Sequence, residues 1–164
     1  MYNGVAGTIV GHGAGGLSSE AVAGFDLSRP LVMVFVGSLW RGATALSVAN
    51  GERRVSVEAD PRGVVEATID GRTQVSAGVT ASGATRMVAV TSPAAGAFAV
   101  QVLGGDPVSQ HVGAAFPGGG YALSVGVGVY VMRAVVVLRG ALEGERWERL
   151  GQWAAAVHGA EGVA

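Results

Sequence analysis

The stretch ALSVANGERRVSV, Ala45 to Val57, decides the fold class. It reads as two strands around Asn50-Gly51, because Asn-Gly readily supplies the positive φ that a type I′ hairpin turn requires. A two-residue loop there sets Leu46 opposite Val55 and Thr44 opposite Val57, with Ser47 and Arg54 together on the other face. Turn chemistry and polarity pattern agree on an antiparallel pair with one buried and one wet face.

Working outward, the turn DPRG (Asp60 to Gly63) has Pro61 to fix φ early. It leads into VVEATID (Val64 to Asp70), whose alternation turns Val65, Ala67 and Ile69 inward and Glu66 and Thr68 outward. A two-residue turn at Asp70-Gly71 would mix the faces. A three-residue loop, Ile69 to Gly71 with Gly71 left-handed, pairs Val65 with Val75 and Glu66 with Gln74 and predicts a G1-bulge hairpin. Residues 43–77 thus form a meander. Further strands are predicted at Leu31 to Val36, Arg86 to Thr91, Ala97 to Leu103, Tyr121 to Val125 and Val129 to Leu138. Several are apolar on both faces, as central strands are, and the short strands with regular turns exclude βαβ units.

The period changes at the end. In GERWERLGQWAAAVHG, Trp147, Leu150, Ala154 and Val157 share one helical face, which predicts a helix over residues 143–158. Glu143 and Glu145 suit its N-terminus, His158 as a cation suits its C-terminus, and Gly159 is a natural stop. Trp147 and Trp153 read as core anchors. Residues 1–24 are a Gly-rich segment, with Gly11 to Gly24 the least structured part, and residues 1–164 read as a single domain.

Composition narrows the function classes. Charged residues make up only 14% of the chain and the net charge is −1, with all eleven basic residues arginine and none clustered, so phosphate-driven nucleic acid binding is excluded. Absence of cysteine removes disulfides, thiolate metal sites and Cys nucleophiles. The N-terminus lacks the basic start and apolar run of a signal peptide. The longest uncharged span, Val112 to Met132, is broken by Pro117 to Gly120, so no membrane helix is expected.

Three segments resemble the laminin-G/concanavalin A-like family. RMVAVTSPAAGAFAVQVLGGDPV (Arg86 to Val108) is similar to its "hxVAVT" hairpin, and YALSVG (Tyr121 to Gly126) to the short "LxIG" strand that follows. Val129 to Gly159 resembles the closing strand, the "RALS" segment and the terminal helix of bacterial and phage versions. LVMVFVGSLW (Leu31 to Trp40) stands in the place of the opening core strand, so the resemblance spans about residues 25–159. It implies an all-β fold: two antiparallel sheets packed as a jelly-roll sandwich, with a short C-terminal α-helix. Members bind glycans or proteins, serve as cell-surface modules, or are accessory parts of phage virions.

Catalytic motifs fail on inspection. Gly11 to Gly16 (GHGAGG) fits G-x-G-x-x-G, but the helix and the acidic strand end of a dinucleotide site are missing. Hydrolases of the resembled family carry E-x-D-x-E on one strand. Here Glu58-Ala59-Asp60 runs into Pro61 without a third acid, which leaves Glu58 a solvated strand residue. No G-x-S-x-G occurs, and His12, His111 and His158 lack metal spacing. Asp106 reads as a hairpin-turn residue rather than a calcium ligand, and His111 as a loop or edge residue. No cofactor, metal or catalytic residue is expected.

The expectation is a non-enzymatic structural protein of a phage virion, made in the host cytoplasm. It would dock as a homo-oligomer on major capsid or tail subunits, with no nucleic acid or membrane partner. The alternative is a carbohydrate-binding module for cell-surface glycans. Candidate contact residues are Trp40, Arg41 and Tyr121, taken as exposed loop residues of the types that dominate binding hot spots.

Overall fold

The computed structural model describes residues 9–11, 17–22, 31–51, 53–70, 73–80, 83–92, 97–111, 119–127, 130–140 and 142–163. His12 and most of the GHGAGG segment lie outside them. In chain order the elements are β1 (Ile9–Gly11), β2 (Leu17–Val22), β3 (Leu31–Leu39), β4 (Thr44–Asn50), β5 (Arg53–Ala59), β6 (Val64–Ile69), β7 (Thr73–Thr80), β8 (Thr85–Ser92), β9 (Ala97–Val102), β10 (Val108–His111), β11 (Tyr121–Val127), β12 (Tyr130–Arg139) and α1 (Glu145–His158). The strands form two six-stranded sheets, ordered β1-β12-β3-β8-β9-β10 and β2-β11-β4-β5-β6-β7, and each pairing between described neighbours is antiparallel. This is the expected jelly-roll-like β-sandwich with one short C-terminal helix.

The sandwich has three layers because β3 is apolar on both faces. Leu31, Met33 and Phe35 point between the sheets, where they meet Leu46, Val48, Val55, Val57, Ile69, Val88 and Phe98. The alternate residues Val32, Val34 and Val36 point outward under α1 and join Met87, Ala89, Leu142 and Ala154. Burying each such Val or Leu contributes roughly 1.5–3 kcal/mol, so the unbroken LVMVFV run anchors both cores. Gly37 closes the run. A Cβ there would be driven into the Val131 carbonyl oxygen and within 2.6 Å of the Phe35 ring, where β12 bulges between Met132 and Ala134.

Helix α1 lies across β3 and β8. Gly159 ends it in the left-handed conformation (φ 66°); its N–H donates to the Ala155 carbonyl and the Ala160 N–H to the Ala154 carbonyl. The tail is then fastened down. Glu161 N–H donates to the Thr85 carbonyl and Val163 N–H to the Leu103 carbonyl, both at 2.8 Å, while the Arg86 guanidinium donates to the Glu161 and Gly162 carbonyls.

Several sequence expectations need correction. The first hairpin pairs Asn50 with Arg53, Val48 with Val55 and Leu46 with Val57, so Asn50 belongs to the strand and Gly51 carries the positive φ of 58°. Ser47 faces Ser56 and Arg54 faces Ala49, in place of the expected Ser47–Arg54 pair. The next hairpin pairs Ile69 with Thr73 and Ala67 with Val75, two residues on from the expected register; Asp70 is left-handed at φ 52°, and Gly71 lies outside the described residues. Asp70 tolerates that conformation because its carboxylate accepts the Arg54 N–H at 2.8 Å and pairs with Arg53 Nε at 3.1 Å. Both shifts are by two residues, so every side chain keeps its face. The helix starts at Glu145 rather than 143, and Val157, at 53% exposure, lies off the packed face, which Gly151 and His158 complete. The Gly-rich N-terminal part holds β1 and β2, so a strand rather than a helix follows GHGAGG. His111 lies on β10, whose four residues are all exposed.

Candidate functional site

The outer face of the second sheet is the place where polar side chains gather. Register builds it. One row runs laterally through Ser124 on β11, Ser47 on β4, Ser56 on β5 and Thr68 on β6. The adjoining row runs through Thr44 on β4, Glu58 on β5, Glu66 on β6 and Ser76 on β7. The opposite faces of these strands are Val, Ala, Leu and Ile buried between the sheets. Helix α1 lies on the other sheet, against β3 and β8.

The expected wet face is in fact sheltered. Ser47, Ser56, Glu66 and Thr68 are all less than 9% exposed. Glu58 and Glu66 sit directly opposite across β5 and β6, a placement that sets like charges against each other. The Thr68 hydroxyl donates to Glu58 Oε1. Burial holds the Glu66 carboxyl above its ordinary range, and the Glu58 and Asp60 charges push the same way.

The β5–β6 turn closes one end of the field. Asp60 Oδ1 accepts the Arg62 and Val64 N–H groups at 2.8 Å, and Oδ2 accepts Arg62 Nε at 2.7 Å. The Val64 hydrogen bond, aided by Arg62, keeps the Asp60 carboxyl below its ordinary value against the cost of burial. Gly42 N–H donates to the Ala59 and Asp60 carbonyls, which ties the β3–β4 turn, Trp40 to Ala43, to the same end. Trp40 is 49% exposed there, with its ring over Gly83, and Arg41 is exposed beside it.

Of the sequence candidates, Trp40 and Arg41 lie in the turn tied to the Ala59–Asp60 end of β5, with the Trp40 ring against Gly83, and Tyr121 lies elsewhere. Tyr121 is fully buried in the core between the sheets. It opens β11 on the same alternation as Leu123 and Val125, which is the signal that would have placed it inside. Glu66 was missed as a site residue because its partner, Glu58, lies on another strand. His158 is also corrected: it is 9% exposed, edge-on to Trp153 at 4.8 Å, and burial with the nearby Arg133 lowers its pKa, so it is not the cation expected at the helix end. Asp106 is exposed in the β9–β10 turn. Among the described residues no group of three His, Cys, Asp or Glu could hold a metal ion, and no helix is long and apolar enough to cross a membrane.

No protein-family model matches the sequence, and no curated protein matches it. Solved structures match the fold. Domain 4 of AbnA, a GH43 extracellular arabinanase from Geobacillus stearothermophilus, solved in complex with arabinotriose, superposes with a TM-score of 0.62 at 16% identity, covering 87% of this chain and 75% of that one. Xenopus laevis galectin-Ib superposes at a TM-score of 0.50 and 12% identity, covering 76% of this chain and 100% of that one. At such identities the likeness is one of fold.

Proposed function

We propose that the chain is a glycan-binding module, acting by binding rather than catalysis, and that its ligand lies on the outer face of the second sheet toward the Glu58–Glu66 end. One observation carries this reading: a sheet built from Val and Ala holds two adjoining rows of hydroxyl and carboxylate side chains on its outer face, away from helix α1. Sugar hydroxyls both donate and accept. The hydroxyls of Thr44, Ser76 and Ser124, the less sheltered members of the rows, can answer either way, and an ionised carboxylate accepts from several donors. Trp40, in the turn tied to the Ala59–Asp60 end of β5, adds an apolar ring of the kind that fixes a ligand's orientation. The fold's likeness to an arabinanase domain that holds arabinotriose supports the reading. Glu58, the less buried of the two acids, serves here as a hydrogen-bonding group. Glu66 is too sheltered for a scissile bond to sit between the two acids, as glycoside hydrolysis requires. No feature of the described surface favours the virion role expected from sequence.

The test is a printed glycan array that includes arabino-oligosaccharides and galactosides, followed by calorimetry on the hits. Glu58→Ala and Trp40→Ala should each weaken binding about tenfold or more, the loss of one charge-assisted hydrogen bond or one ring contact. Tyr121→Ala is uninformative, since it would damage the core. An empty array, or a hit that both variants bind unchanged, overturns the reading. Recovery of shortened glycan after incubation overturns its non-catalytic half.

A further inference from the structure

A groove remains on the opposite side of the molecule that the glycan reading does not use. It opens between the C-terminal end of β12 and the first turns of α1, with a volume of about 440 Å³. Ligand pockets run from roughly 300 to 1,000 Å³, so its size is that of a small molecule rather than of a protein partner. Its floor is apolar: Leu138 from β12, Leu142 from the connection, and Leu150 and Trp153 from the helix. Leu138 stays 36% exposed although it points to the helix side of the sheet, so the floor is not closed by the protein's own packing.

The rim is cationic. Arg139 ends β12, and Arg146 and Arg149 occupy the helix face that continues to Leu150 and Trp153. Positions 146, 149–150 and 153 repeat at helical spacing, so the guanidinium groups and the apolar floor are set side by side. Arg149 is engaged by Glu145 at 3.1 Å in an exposed i,i+4 pair. Among the described residues, Arg139 and Arg146 have no side-chain hydrogen bond or ion pair. Two fixed positive charges beside an uncovered apolar floor complement a molecule with the opposite design. Arginine's planar fork meets a carboxylate with two parallel hydrogen bonds.

We propose that this groove is a second binding site, distinct from the polar face, and that it takes a small anionic amphiphile: one carboxylate on an apolar carbon body. The carboxylate lies between Arg139 and Arg146, and the body lies on Leu138, Leu142, Leu150 and Trp153. Because Trp153 lines the groove, binding reports itself in tryptophan fluorescence.

The probe is decanoate, titrated below its micelle concentration at low ionic strength, with decanol as the uncharged control and isothermal calorimetry as the readout. Decanoate should bind one to one and decanol at least about tenfold more weakly, as expected for hydrogen bonds to a charged group. The double variant Arg139→Gln/Arg146→Gln changes two exposed residues, so its melting temperature should match the parent. It should lose the preference for decanoate over decanol. Glu58→Ala should leave decanoate binding intact. Amide shifts in the parent protein should map to residues 138–153 and provide a readout that needs no variant. The proposal is overturned if decanoate gives no heat, if decanol binds as well, if the double variant keeps the preference, or if the shifts map elsewhere. Adsorption to anionic phospholipid vesicles without binding of monomeric decanoate also overturns it, because the site would then serve a lipid surface.

Discussion

Replacing Glu66 with Gln should stabilise the protein near neutral pH and do nothing in acid. Glu66 lies opposite Glu58 in register, is 5% exposed, and holds its proton above the ordinary carboxyl value of 4.5, chiefly because of burial. In the unfolded chain it ionises at that ordinary value. Between the two values the folded state binds more protons than the unfolded state, so stability falls as pH rises through this window and stays lower above it. Gln keeps the shape and removes the charge. Directly opposed like charges in a sheet cost about 0.2–1 kcal/mol, and relief of the buried charge acts in the same direction. For a domain of this size that corresponds to a gain of roughly 1–4 °C in melting temperature. Thermal unfolding followed by circular dichroism at about pH 7.5 and again below about pH 4 reads it directly, since in acid the wild-type carboxyl is protonated too. The Glu58→Gln/Glu66→Gln double variant should gain less than the sum of the singles, because either change removes the same repulsion. A loss of stability in Glu66→Gln at neutral pH, or an equal gain at both pH values, would refute the picture of opposed, sheltered carboxyls.

Other outcomes follow from the packing and the titrating groups. Gly37→Ala should cost about 1–3 kcal/mol in urea unfolding, because its Cβ meets the Val131 backbone rather than a yielding side chain. Phe35→Ala should cost about 3–5 kcal/mol, as it empties a fully buried ring site between the sheets. Asp60 ionises below its ordinary value, so its contribution is present above about pH 3.8 and is lost as pH falls through the lowered value; Asp60→Ala should flatten the acid limb of the stability profile. His158 is held neutral, so the unfolded chain takes up its proton first as pH drops below 6.5 and stability declines there. His158→Gln should remove that slope, and NMR titration of the wild-type ring should give a value below 6.5.

Fold class and face assignment were legible in the sequence because both rest on alternation. Val65, Ala67 and Ile69 are inward as expected, and the Val55 to Val57 strand faces the core. Register was not legible to the same depth. Sliding Leu46 from Val55 to Val57 keeps every side chain on its face, so the polarity pattern cannot tell the two pairings apart. Only the turn decides, and here Gly51 rather than Asn50 takes the first corner. The candidate site suffered from that limit. Glu58 and Glu66 are eight positions apart and become neighbours only once the β5–β6 register is known. Tyr121 shows the opposite error: residue type suggested a contact, while its alternation with Leu123 and Val125 already placed it inside. The groove beside α1 depends on where the helix lies against β12, which periodicity alone does not supply.

The fastening of the C-terminal tail gives the molecule a back and a front. Helix α1 and residues 160–163 are bound to β8, β9 and the turn after them on the first sheet, while the rows of Ser, Thr and Glu look away from the second sheet. A support or fused partner joined at the C-terminal end therefore meets the side already occupied by the helix. Immobilised that way, the module would present its polar face outward, and an array of copies would show one face to whatever approached it.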